Sequence, residues 1–168
     1  MLKQQAGVTL VELMVVIILL AILATLGMPL WHEFIERNRS QAILNALERS
    51  IQQARSIAVS QRTRIEVCGA SAQHQCQNNW QQGWLLRLSN NTDEIIQITE
   101  LSHSEIKLIW AGFQPRIVFH PSGITSMSNG RFVACRKQRV AWQLILNRQG
   151  RLRRATASEN RSEDHRCG

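Results

Sequence analysis

The chain is poor in the residues that punctuate a backbone, with three prolines and nine glycines in 168 residues. That scarcity excludes collagen-like and low-complexity chains. No motif recurs at the spacing of a solenoid or propeller, which excludes those architectures as well. Catalytic signatures are also missing. The histidines at 32, 74, 103, 120 and 165 lie in separate segments, and no serine or cysteine stands in a nucleophile elbow. Neither a phosphate-binding loop nor a dinucleotide fingerprint occurs. The residues point away from an enzyme, and no cofactor is expected.

A further absence is local. Residues 131–154 hold no acid, only the bases Arg131, Arg136, Lys137, Arg139, Arg148, Arg151, Arg153 and Arg154. The rest of the chain is close to neutral, so this stretch accounts for the whole net charge of +8. Solubilising charges are normally interspersed in sign. An acid-free run of this kind asks for an anionic partner.

The N-terminal third has a different character. Residues 8–30 are apolar with a single charge, Glu12, and as a helix they are long enough for the roughly 30 Å hydrocarbon core of a bilayer. A polar leader, residues 1–7, precedes them. A carboxylate among apolar side chains costs about 2.5–3.5 kcal/mol on insertion scales, so Glu12 requires a partner. Pro29, near Gly27, predicts a kink. Beyond Leu30, Trp31, Phe34, Ile35, Ile43, Leu47, Ile51, Ala54 and Ala58 recur at steps of three and four, the pattern of an amphipathic helix over 31–60.

From residue 61 the period changes to two. The runs 63–68, 84–89, 94–99, 105–110, 116–120, 131–135, 140–147 and 151–155 read as strands. The expected architecture is α+β, with a long N-terminal helix whose amphipathic half packs on a mostly antiparallel sheet or sandwich formed by 61–168. The four cysteines allow three pairings. Export favours disulfides, with Cys68–Cys76 and Cys135–Cys167 the preferred set. The alternative, a zinc site built on Cys68, His74 and Cys76, is disfavoured by the wide cysteine spacing, and no metal is expected.

Within the basic stretch, residues 147–150 read as a hairpin turn with Gly150 at positive φ. In the returning strand, alternation sends Leu152 inward and Arg151 and Arg153 outward together. Arg148 and Arg154 extend this cluster, and Arg136, Lys137 and Arg139 in the preceding turn widen it. The planar arginine fork suits phosphate oxygens. With no recognition helix in the pattern, contact is expected with about three to four backbone phosphates and without base readout.

The run Gly7-Val8-Thr9-Leu10-Val11-Glu12 ahead of the apolar segment resembles the class III signal of type IV pilins and pseudopilins, with Val8 where the family usually has Phe. The resemblance implies that a prepilin peptidase cuts after Gly7 and methylates Val8. It also implies that Glu12 pairs with the terminal amine of a neighbouring subunit. Cys68, Cys76, Trp80, Gly83, Trp84, FHPSG (119–123), Cys135 and NRQGR (147–151) occur in an order similar to the FimT/GspH family of minor pilins and pseudopilins. Gly150-Arg151-Leu152-Arg153 matches the G-R-x-R motif of the FimT branch, which there marks DNA binding in natural transformation. The resemblance implies a single-pass anchor in the bacterial inner membrane, a periplasmic C-terminal domain, and later assembly with other major and minor pilins into an extracellular filament. It implies DNA as the ligand. The alternative is a GspH-like structural role in type II secretion or at a pilus tip. If Gly7 is the cleavage position, Gly7→Ala leaves the leader attached, and mass spectrometry of the membrane-extracted protein finds neither truncation nor a methyl group on Val8.

Overall fold

The computed structural model describes residues 9–91, 93–101, 105–125 and 127–168, without the side chains of Leu26, Pro29 and Leu30. Gly7 and Val8 lie outside the described residues. One helix, α1 (Leu10–Ser60), opens the described chain and runs through position 29 without interruption, so the kink expected at Pro29 does not break it. Contacts divide the protein into two units, residues 1–38 and 39–168, and the boundary falls inside α1.

In the first unit, the Glu12 N–H donates to Thr9 Oγ1 at 3.2 Å. This satisfies one of the helix's unpaired first-turn donors. Glu12 itself lies in that first turn, where the helix dipole favours a carboxylate. The apolar side chains from Leu10 to Leu23 are exposed. Among the described residues, no helix is long and apolar enough to cross a membrane. The expected span, 8–30, reaches into positions beyond that description.

The second unit is built around the last part of α1. Leu47, Ile51, Ala54 and Ala58 recur on one helical face and are almost wholly buried. Two antiparallel sheets complete the core. The first has β1 (Ile65–Ala70), β2 (Cys76–Gln77), β3 (Gly83–Leu88), β4 (Ile95–Glu100) and β6 (Ile117–Phe119), in the order β2-β1-β3-β4 with β6 also on β1. The second has β5 (Lys107–Gly112), β7 (Gly130–Arg136), β8 (Arg139–Leu146) and β9 (Leu152–Arg154), in the order β5-β7-β8-β9. Alternation sends Ile65, Val67, Trp84 and Leu86 of one sheet, and Phe132, Trp142, Leu144 and Leu146 of the other, into one apolar cluster with the α1 stripe. Trp80 meets Phe132 edge-on at 4.8 Å between ring centroids, a favourable aromatic geometry. The Trp142 indole N–H donates to the Ser40 backbone carbonyl at 3.1 Å and to its Oγ at 3.0 Å, fixing β8 along the helix.

The α+β architecture is that read from the sequence, and each predicted strand has a counterpart. Three elements are additional. β2 is a two-residue strand. The tail forms α2 (Ala157–Ser162) and a closing 3-10 turn (Asp164–Cys167). α2 starts with a capping box, in which Thr156 accepts the Glu159 N–H and Glu159 accepts the Thr156 N–H. Disulfides join Cys68 to Cys76 and Cys135 to Cys167, with Cα atoms 5.6 and 5.4 Å apart. His74 turns to Glu100, Nε2 to Oε1 at 3.1 Å, and Glu66 beside the first disulfide is held by Arg87 and Arg116. Because Leu47 is fully buried between the sheets, Leu47→Ala should lower unfolding stability by about 2–5 kcal/mol, as read by chemical denaturation.

Candidate nucleic-acid interface

The turn joining β8 to β9 is tightly specified. Gly150 N–H donates to the Asn147 carbonyl at 3.0 Å, Asn147 N–H donates to the Arg151 carbonyl at 3.1 Å, and Arg151 N–H donates to Asn147 Oδ1 at 2.9 Å. Gly150 has φ of +73°. A Cβ there would lie 2.3 Å from the Gly123 carbonyl oxygen, so neither the backbone conformation nor the space admits a side chain.

The loop after β6 is tied to this turn. Thr125 N–H donates to the Arg148 carbonyl at 2.9 Å, and the Thr125 hydroxyl donates to the Asn147 carbonyl at 3.1 Å. The segments 119–123 and 147–151, which sequence analysis separated by more than twenty residues, form one rim beside the end of α1.

Arg148 and Arg151 are exposed on this rim. Arg148 Nε reaches Asn129 Oδ1 at 3.4 Å. Among the described residues, no carboxylate pairs with either guanidinium. Arg153 and Arg154 are exposed too, but both are engaged. Arg153 makes a two-pronged pair with Glu159 of α2, at 2.9 and 2.7 Å. The register sets Leu146 opposite Leu152 and Leu144 opposite Arg154, and Arg154 meets Glu48 of α1 at 2.6 Å and Asn45 at 2.9 Å. Arg131 pairs with Glu163 at 2.6 Å, and Arg166 joins the same carboxylate. The uniformly basic stretch of the sequence is therefore partly neutralised by acids from α2, the tail and α1.

Arg136, Lys137 and Arg139 are not brought to this rim, which corrects the expectation that they widen it. They lie at the β7–β8 turn, where Lys137 and Gln138 have φ of +48° and +63°, both central positions of a tight hairpin at positive φ. β8 separates the two turns, and at roughly 3.4 Å per residue its run from Arg139 to Leu146 places them some 25 Å apart. The strand that makes these arginines look contiguous in sequence keeps them at opposite ends.

Sequence reasoning missed Arg55, which sits half-buried among helical residues. Its Nε donates to the Gly123 carbonyl at 3.0 Å. Arg55 and Arg151 line one cleft of about 640 Å3 with Gln52, Ser56, Val59 and Leu152. It also missed Glu159, although Thr156-x-x-Glu159 is a legible capping signal.

Comparison with known proteins adds the family. Residues 44–150 match the model described as "Type II transport protein GspH". The chain belongs to the GspH family. Residues 2–28 match the prokaryotic N-terminal methylation motif. No curated protein matches the chain in sequence. In fold, the chain resembles two crystal forms of the Pseudomonas aeruginosa type IV minor pilin FimU. In one, the TM-score is 0.59 at 20% identity, covering 74% of this chain and 94% of that one. In the other, it is 0.58 at 19% identity, covering 70% and 94%. The GspH match ends at Gly150, so Arg151 and Arg153 stand just beyond what the family model describes.

The Arg153 pair leaves a titration signature. Hydrogen bonding from Arg153, helped by the Thr156 N–H, lowers the Glu159 carboxyl to a pKa of about 2. A depressed carboxyl contributes stability above its unfolded pKa, near 4.3, and loses it as pH falls through the folded value. The pair therefore persists from neutral pH down to about 4 and opens toward pH 2. In Arg153→Gln, carbon-detected NMR should find Glu159 titrating well above its parent value, toward the ordinary glutamate range.

Proposed function

We propose that this GspH-family chain is a minor type IV pilin of the FimT kind, which binds extracellular DNA without sequence preference during natural transformation. The observation that carries the reading is the pair Arg148 and Arg151. They flank a turn whose glycine is sterically required, and they are exposed with no acid engaged on either among the described residues. Arginine forks with no carboxylate engaged on them are available to phosphate oxygens. Arg153 and Arg154 take part only where DNA competes with Glu159 and Glu48. Arg136, Lys137 and Arg139 form a separate cationic end that a long duplex can reach.

The N-terminal segment serves the same reading. Prepilin peptidase would remove residues 1–7 after Gly7 and methylate Val8, leaving residues 8–30 to span the inner membrane with the C-terminal unit in the periplasm. On assembly with other pilins, the exposed apolar face of the first unit gains subunit neighbours, and Glu12 meets a neighbour's terminal amine, which neutralises a carboxylate otherwise costly in an apolar setting. The second reading, a structural component of a type II secretion pseudopilus, is favoured by the description of the matching family model.

Electrophoretic mobility shift separates the two. The full chain in neutral detergent should retard duplexes of unrelated sequence at low salt. Two phosphates neutralised by Arg148 and Arg151 give a slope of about −2 for log K against log salt. The slope would be nearer −4 if Arg153 and Arg154 also left their acids. Arg148→Gln with Arg151→Gln should abolish retardation. Retention at low salt that ignores this double change, or no retention at all, overturns the DNA reading and leaves the structural one.

A further inference from the structure

The cleft beside Gly150 adds to Arg151 a second cation, Arg55, and an aliphatic wall that backbone contact with a duplex does not use. We infer that it binds a single unpaired nucleotide, with the phosphate between Arg55 and Arg151 and the base against Val59 and Leu152. The inference rests on the DNA reading above and adds to it a preference for unpaired strands.

The position of Arg55 is the first observation. Two glycines at positive φ border it. A Cβ on Gly123 would lie 3.2 Å from Arg55 Nε and 3.0 Å from a Val59 methyl, and a Cβ on Gly150 would lie 3.3 Å from the same Nε. The chain thus passes Arg55 twice at distances that leave little room for a side chain. The Gly123 carbonyl accepts from Nε at 3.0 Å, which holds the guanidinium in place. A cation ordered in advance loses less freedom when an anion binds.

The lining is the second. Arg55 and Arg151 share the cleft with Gln52, Ser56, Val59 and Leu152, and among the described residues no carboxylate lines it. Two cations beside one cavity repel each other, and an anion between them relieves that repulsion. The end of α1 would oppose an anion through its dipole. Two of its last four carbonyls are already engaged, Ile57 accepting from Gln61 N–H at 2.9 Å and Ala58 from Thr63 N–H at 3.2 Å.

The third observation is the aliphatic wall. Val59 is exposed and Leu152 half-buried, an apolar surface beside convergent polar groups, as ligand clefts commonly have. Inorganic phosphate would use the arginines and leave this wall wet, whereas a nucleotide covers both. At about 640 Å3 the cleft accommodates one nucleotide. A base paired in a duplex cannot turn into it without leaving its stack.

Titration of the full chain in neutral detergent with deoxyadenosine monophosphate, deoxyadenosine and orthophosphate tests the assignment, with NMR signals of Arg55 Nε–H and the Gly150 amide as the readout. The monophosphate should move both signals, and each of the other two probes should bind about tenfold more weakly. Arg55→Lys should weaken the monophosphate by a similar factor. Ser56→Asp, an exposed change that adds a negative charge to the lining without touching Gly123, should do the same in a protein whose fold is undisturbed. Single-stranded oligonucleotide should displace the monophosphate at a lower concentration than duplex, which competes through Arg151 alone. Unmoved signals, or Ser56→Asp binding the monophosphate as well as the parent does, overturn the inference. If duplex retardation still depends on Arg148 and Arg151 in that case, the DNA reading stands without the cleft. A cleft that takes the monophosphate in a protein that retains no DNA supports the nucleotide site and removes the DNA reading.

Discussion

Burial of one helical stripe between two sheets is the constraint on which the second unit depends. Leu47, Ile51, Ala54 and Ala58 have almost no exposed surface, and both sheets contribute side chains to the same cluster. The inner faces of both sheets close on that stripe and on each other. Ala54 and Ala58 carry that stripe to within a few residues of the helix's end. The loops after β6 and β8 converge on that end, so core packing positions the cationic rim and the Gly150 turn shapes it.

Electrostatics then divides the basic stretch into parts with different fates. Arg131, Arg153 and Arg154 lie where Glu163, Glu159 and Glu48 can reach them. Exposed pairs of this kind contribute little to stability, but they decide which cations remain available to an outside anion. Arg148 and Arg151 remain because the turn carries them past the end of the strand and away from α2. Arg55, drawn in by two glycines, adds a cation from a different part of the chain.

Most of this fold is legible in the sequence because its signals are periodic. α1 ends at Ser60, where the three- and four-residue spacing of apolar positions stops, and the strands follow alternation to within about two residues. β2 is too short to show a period. α2 buries no residue, so it has no apolar stripe to reveal it, only the capping pair Thr156 and Glu159. At the candidate site, the Gly150 turn could be read locally because its conformation demands glycine. The ion pair between Arg154 and Glu48 could not, since 106 residues separate the partners and only the packing of β9 on α1 joins them. Arg55 was hidden for a related reason. In a helical pattern it looks like one more solvated base between apolar positions, and only the passage of two distant glycines singles it out.

The Cys135–Cys167 bridge links a core strand to the last residue but one. Glu159 and Glu163 lie between its two cysteines, inside the loop it closes. The carboxylates that quench Arg153 and Arg131 are thus retained on this face by a covalent bond. The charge that this face displays is therefore tied to the state of a single disulfide.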